Sequence, residues 1–153
     1  MKVLVFVAVT IALPTLAYAQ TAAKVAPPDV ETAVFRVLDE LDNAFDRKDP
    51  AGWERTFNFP HYLLVGDELR VFDKPGQTTP EQMRVNVPPG WDHGGPIKRE
   101  IVQASPGKVH VLIRVARYRA DGSVIDSFDT LYVLTNSSGR WGVKLRSTFA
   151  QLR

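Results

Sequence analysis

The stretch from Ile97 to Ala150 constrains the fold more than any other, because it is written as one continuous antiparallel meander cut by three turns. Pro106-Gly107, Asp121-Gly122 and Asn136-Ser137-Ser138-Gly139 separate runs rich in Val, Ile, Leu, Tyr and Phe. Gly and Asn supply the positive-φ positions that hairpin turns need, and branched or aromatic side chains suit a pleated surface. Four strands are predicted. If Asp121-Gly122 is a two-residue turn, Ala120 faces Ser123, and Arg117 meets Asp126, Arg114 meets Asp129, Val111 meets Tyr132 and Val109 meets Leu134. Opposite charges meet twice in that register, which supports it. Reading Asn136 to Gly139 as a four-residue loop pairs Thr135 with Arg140 and sets Trp141 opposite Leu134, Val143 opposite Tyr132 and Arg146 opposite Asp129. Asp129 then lies between two arginines. Val109, Val111, Ile113, Val115, Phe128, Tyr132, Trp141, Val143, Leu145 and Phe149 share the other face, which is expected to be the core. Across Pro106-Gly107 an unbroken register puts Glu100 beside Ile113 on that core face; either a bulge intervenes or Glu100 lines a pocket.

The chain begins with Lys2, an uncharged run over residues 3–16 and Ala17-Tyr18-Ala19. A basic start, a short apolar segment and a small-x-small site make a secretory signal peptide, 1–19, whose cleavage leaves no membrane span. Secretion or a periplasmic location follows as an expectation. There is no Cys, so packing alone must stabilise the chain. Residues 20–28 read as a mobile leader and 29–153 as one domain. With 19 basic and 17 acidic side chains, the charge balance gives no reason to expect nucleic acid as a partner.

Asp29 is expected to cap a first helix whose stripe Val30, Val34, Val37, Leu38, Leu41 and Phe45 recurs at three and four residues. Asp49-Pro50 opens a second, short helix carrying Trp53 and Phe57, which Phe59-Pro60 ends. Residues 62–65 and 69–72 read as a small hairpin around Gly66-Asp67. Thr79-Pro80-Glu81-Gln82 combines an N-cap, Pro at the first position and a capping-box Gln, so a third helix starts there and stops at Pro88-Pro89.

Helical hairpin, β-hairpin, third helix and meander is an element order that resembles the nuclear transport factor 2-like (SnoaL-like) superfamily. The likeness is carried by Asn43-Ala44-Phe45-Asp46-Arg47-Lys48-Asp49, Trp53, Phe57-Asn58-Phe59-Pro60-His61, Arg117-Tyr118-Arg119-Ala120-Asp121-Gly122 and Gly139-Arg140-Trp141-Gly142. It is closest to the small exported bacterial members. The resemblance implies an α+β fold with a curved antiparallel sheet around a conical cavity, covered by three N-terminal helices, the convex face often serving dimers. Members include steroid isomerases, scytalone dehydratase, limonene epoxide hydrolase and polyketide cyclases, alongside binding and assembly modules. None of their catalytic residues aligns here, so none is carried over.

His61, where the helices hand over to the first strand, is an acid–base candidate, with a backbone-bonded histidine as the plainer alternative. Trp91-Asp92-His93, between glycines, can close over a pocket or simply plug the end of the core. Glu100, if inward, would be a general base. Arg117, Tyr132 and Trp141 complete the expected ligand-binding set. Arg114, Asp129 and Arg146 form a row on the outer face suited to an ion network or a dimer contact, where His110, Leu112, Leu131 and Val133 also call for cover by a second copy. The three histidines are far apart and no phosphate loop or nucleophile elbow is present, so no metal or other cofactor is expected. Three readings remain open: an exported domain binding a mostly apolar small molecule, a cofactor-free lyase, isomerase or hydrolase using His61, His93 or Glu100, and a structural dimerisation module.

Overall fold

The structure is a computed structural model that describes residues 25–85 and 87–150. The signal-peptide segment and residues 20–24 of the leader lie outside the described residues. The elements run α1 (Pro28–Asp46), α2 (Pro50–Arg55), β1 (Phe57–Val65), β2 (Glu68–Phe72), α3 (Pro80–Val85), β3 (His93–Ser105), β4 (Lys108–Tyr118), β5 (Val124–Ser137) and β6 (Arg140–Thr148). One six-stranded sheet has the order β2-β1-β6-β5-β4-β3. It is mixed rather than wholly antiparallel, because β1 runs parallel to β6 and joins the hairpin to the meander. Among the described residues, no helix is long and apolar enough to cross a membrane.

Local chemistry explains most of the boundaries. The α1 N-cap is Pro27 and not Asp29, which sits in the first turn. The Asp49 side chain accepts from the Gly52 N–H at 2.8 Å and starts α2. At α3, Thr79 N–H donates to Gln82 Oε1 and Gln82 N–H to Thr79 Oγ1, the reciprocal cap expected. Phe57 belongs to β1 and not to α2, which ends at Arg55; the Phe59–Pro60 bond, cis, lies inside the strand. β3 begins at His93, within what the sequence reads as loop.

In the meander, all four pairs expected across β4 and β5 are present. The turn itself is longer. Arg119 pairs with Ser123 around Ala120, Asp121 and Gly122, whose φ is +82°, and an extra residue at Ile125 restores the register. The β5–β6 turn is shorter than expected: Ser138 and Gly139, at φ 52° and 82°, form a two-residue loop with Ser137 opposite Arg140. A bulge at Lys144 then moves the register by one, so Tyr132 faces Arg146 and Val133 faces Leu145. A second bulge, at Val102, places Arg99 beside Ile113 and Glu100 beside Leu112. One-residue shifts exchange the faces of everything beyond them. Leu145 therefore lies on the outer face, and Phe149, past the end of β6, is 79% exposed.

Val109, Val111, Leu134 and Val143 of the sheet are fully buried with Val34 and Leu38 of α1, so the helix stripe covers the expected face. Asn58 ties the parallel junction. Its amide donates to Thr135 O at 2.7 Å and to Thr135 Oγ1 at 2.9 Å, and its Oδ1 accepts from Arg140 at 2.7 Å. A Cβ on Gly142 would come within 2.6 Å of Asn58 Oδ1, which makes glycine necessary there. Replacing Asn58 by Ala removes these bonds from a part-buried junction, Arg140 keeping Arg55 O and Phe57 O, and is expected to cost about 1–3 kcal/mol. Urea unfolding should show this as a lower midpoint with an unchanged m-value.

Candidate functional site

The two bulges decide which charges face inward. At Val102 the extra residue turns Glu100 to the outer face, where it pairs with Lys98 at 2.9 Å, and turns Arg99 to the inner face. This corrects the expectation of an inward Glu100 carboxyl. At Lys144 the extra residue takes Arg146 out of the outer row and lays its guanidinium 5.5 Å from the centre of the Tyr132 ring. Asp129 accordingly meets Arg114, at 3.3 Å, and not Arg146.

A cavity of about 60 Å³ lies between the C-terminal half of α1, Trp91, and the inner face of β3 to β6. Leu41, Phe45, Trp91, Val115 and Phe128 give it apolar walls, and Asp42, Asp46, Arg117, Tyr132 and Arg146 give it polar ones. Arg99 forks onto Asp39 at 2.6 Å and Asp42 at 3.2 Å. Arg117 reaches Asp126 at 3.4 Å and lies over the Phe128 ring at 4.6 Å. The Asp46 carboxylate accepts from Gly94 N–H at 3.1 Å. Arg146 makes no ion pair among the described residues, and its buried Nε has no hydrogen-bond partner.

Burial dominates the electrostatics. It pushes the Asp42 carboxyl up to about 6, against the pull of Arg99 and then Arg146. Asp46 is also raised by burial, opposed chiefly by the Gly94 N–H. Tyr132 is pushed up to about 12, so its phenol is a neutral donor at any physiological pH. Because Arg99 is the largest influence holding the Asp42 value down, Arg99→Gln is expected to raise it further. Following the Asp42 carboxyl carbon by NMR across pH 4–8 would measure the change, and an unmoved titration would refute the coupling.

Of the residues expected from sequence, Trp91, Arg117 and Tyr132 line this cavity. Asp92 and His93 do not. They bond to one another at 2.9 Å, with His93 stacked on Tyr118 at 5.1 Å and half exposed. His61 is away from the cavity and 1% exposed: it stacks on Phe57 at 3.7 Å, and its Nδ1 lies 3.1 Å from Val143 O. Burial brings it down to about 4, so the ring is neutral near pH 7. Trp141 is half-buried beside Arg36 and Glu40 of α1, at a surface groove. Asp42 and Asp46 were not singled out in the sequence, although Val34, Leu38, Asp42 and Asp46 recur every four residues and so extend the buried helix face. Arg99 and Arg146 carried no inward signal.

No protein-family model and no curated protein matches the chain. Solved structures do. A nuclear transport factor 2-like protein of unknown function from Shewanella oneidensis MR-1 aligns at TM-score 0.57 and 13% identity, over 78% of this chain and 98% of its own. A candidate ketosteroid isomerase from Shewanella frigidimarina aligns at 0.60 and 12%, over 78% and 96%. A candidate aromatic ring hydroxylase from Novosphingobium aromaticivorans aligns at 0.63 and 11%, over 84% and 93%. At these identities the likeness is one of fold alone. With three N-terminal helices on a six-stranded mixed sheet, the chain has the nuclear transport factor 2-like fold.

Proposed function

We propose that this chain is an exported small-molecule-binding domain that holds the acidic end of a mostly apolar ligand against Arg146, with Arg117 and the Tyr132 hydroxyl beside it. One observation carries this reading: among the described residues Arg146 is an inward cation that makes no ion pair, although it acts on Asp42 from a distance, in a cavity walled by Trp91, Phe45 and Phe128. A desolvated guanidinium favours a planar carboxylate that accepts two hydrogen bonds. The cavity's 60 Å³ holds a head group and not a whole drug-sized molecule, since such ligands occupy sites of about 300–1,000 Å³. A conical curvature of the sheet, which the bulges in four of its five strand pairings favour, is part of the same reading.

Native mass spectrometry of protein exported from the full-length gene tests several parts together. A mass that begins at Gln20 supports secretion or a periplasmic location, and an intact N-terminus argues against it. A co-purifying acid supports the binding reading. A mass of two chains supports homodimerisation through the outer face, where Leu112 is 40% exposed beside Leu131 and Val133. A bare monomer that fails to bind added carboxylates would overturn the binding and dimer proposals alike.

A second reading rests on Asp42. A carboxyl titrating near 6 can accept and return a proton near neutral pH, which suits a cofactor-free isomerase, lyase or hydrolase. Turnover that disappears in Asp42→Asn while acid binding persists would favour catalysis; binding without turnover of any bound acid favours the first reading.

A further inference from the structure

We propose that Phe45 partitions one ligand site into two chambers, and that the site takes a monocarboxylic acid whose apolar body carries an oxygen acceptor. The carboxylate sits by Arg146 in the small chamber, and the body passes Phe45 into a larger one. This proposal rests on the binding reading above and names the class of ligand.

The second chamber is a cavity of about 220 Å³ between α2, β2 and α3, lined by Phe45, Trp53, Leu63, Phe72, Thr78 and Met83 among others. Phe45 is common to both cavities. Its ring lies 5.7 Å from that of Trp91, in the wall of the small cavity, and 6.1 Å from that of Trp53, in the wall of the larger, so one side chain in the last turn of α1 belongs to both walls. The sheet continues behind it. Leu63, in the wall of the larger chamber, pairs in the parallel ladder with Arg146 of the smaller. A rotamer change at Phe45 would join the two spaces without moving the backbone.

The larger chamber has a built wall. Glu54, 4% exposed, accepts hydrogen bonds from Thr78 N–H at 2.6 Å and from Gly76 N–H, which fixes the loop before α3. The reciprocal Thr79–Gln82 cap then holds the start of α3. Two residues of this wall carry a buried polar atom, Trp53 Nε1 and Thr78 Oγ1, that has no hydrogen-bond partner among the described residues. A donor left unpaired in an apolar setting destabilises the fold unless something accepts from it. An oxygen on the ligand body, a ketone or hydroxyl, would accept from the Trp53 indole once the wall gives way to it. The number of charges is also limited: Arg99 is taken by Asp39 and Asp42, Arg117 by Asp126 and Arg70, at the larger chamber, by Glu68, which among the described residues of the two walls leaves Arg146 for a single carboxylate.

The three tryptophans report separately, because Trp91 borders the small chamber, Trp53 the large one, and Trp141 neither. Their indole N–H signals should be followed in ¹H–¹⁵N spectra of the wild-type protein during titration with acetate, then longer acids up to octanoate, then oxo-octanoates. Acetate should move Trp91 alone. Octanoate should also move Trp53, and an oxo-octanoate should carry the Trp53 N–H downfield, while Trp141 stays fixed. Affinity should climb about four-fold for each methylene that passes Phe45. If acetate moves Trp91 but no acid of any length moves Trp53, the two-chamber proposal is wrong and the binding reading stands. If no acid moves Trp91, the binding reading itself is wrong.

Discussion

Replacing His61 by Gln is expected to destabilise the protein at pH 7 and to do so less at pH 4.5. The wild-type imidazole is buried flat against Phe57 at 3.7 Å, and burial depresses it to about 4, with Arg146 and Lys144 adding to the effect. Its unfolded value is about 6.5. Between these values the unfolded chain binds a proton at His61 that the folded chain refuses. The stabilising contribution is therefore fully present above pH 6.5 and is lost as pH falls through the window towards 4. Over pH 7 to 4.5 this amounts to about 2 kcal/mol, and the Gln variant escapes it. At pH 7 the variant still loses the ring stack and part of the packing among Trp53, Phe57 and Phe72, about 1–3 kcal/mol. Asp42 works in the other direction. Its folded value is raised to about 6 from 3.8, so its contribution is greatest at low pH and is lost as pH rises through 6. The two windows overlap, and wild-type stability should be flatter between pH 6 and 4 than either group alone would make it. Denaturant unfolding of wild type, His61→Gln and Asp42→Asn at both pH values separates them. A gap between wild type and His61→Gln that is the same at pH 7 and pH 4.5 would show that His61 titrates normally.

What could be read from the sequence, and what could not, divides along the chemistry of single residues. Turns announce themselves, because positive φ selects Gly and Asn, so the meander and all four expected β4–β5 pairs were legible, Arg117 with Asp126 included. The Thr79–Gln82 cap was legible for a similar reason, a fixed spacing with a fixed hydrogen-bond need. Bulges carry no such mark. Nothing about Val102 or Lys144 distinguishes an extra residue from a paired one, yet each exchanges the faces of the residues beyond it. Those two positions account for the chief misplacements: Glu100 in place of Arg99 on the inner face, and Arg146 assigned to the outer row with Asp129. The mixed sheet was hidden as well, because the parallel pairing of β1 with β6 joins segments about eighty residues apart and depends on tertiary contacts such as Asn58 with Thr135. Asp42 and Asp46 were recoverable in principle. They continue the four-residue row of Val34 and Leu38, and an acid on a buried row is the exception that marks a site.

Arg146 joins these strands of chemistry, and its replacement is expected to have the largest effect on binding. Arg146→Gln removes an inward cation that makes no ion pair among the described residues, so affinity for a short carboxylate such as acetate should fall roughly ten- to hundred-fold, the range of one charge-assisted interaction. The same change should raise Asp42 above its present value of about 6, since Arg146 is among the charges that hold it down. Tyr132 should rise with it, for the same reason. Arg146→Lys separates charge from shape. The ammonium keeps most of the influence on Asp42 but loses the planar contact with Tyr132 and the two-point grip on a carboxylate, so Asp42 should titrate near its wild-type value while affinity still drops. Titration calorimetry gives the affinities, and NMR of the Asp42 carboxyl carbon gives the titration on the same samples. Were both variants to bind acetate as the wild type does, the acid-binding role of Arg146 would be excluded even if Asp42 shifts as expected. Were affinity to fall in both with the Asp42 titration unmoved in both, Arg146 would hold the ligand but lie outside the network that sets the charge state of α1. The bulge at Lys144 would then serve ligand placement alone, and the raised Asp42 value would be the work of burial, opposed by Arg99 without a contribution from β6.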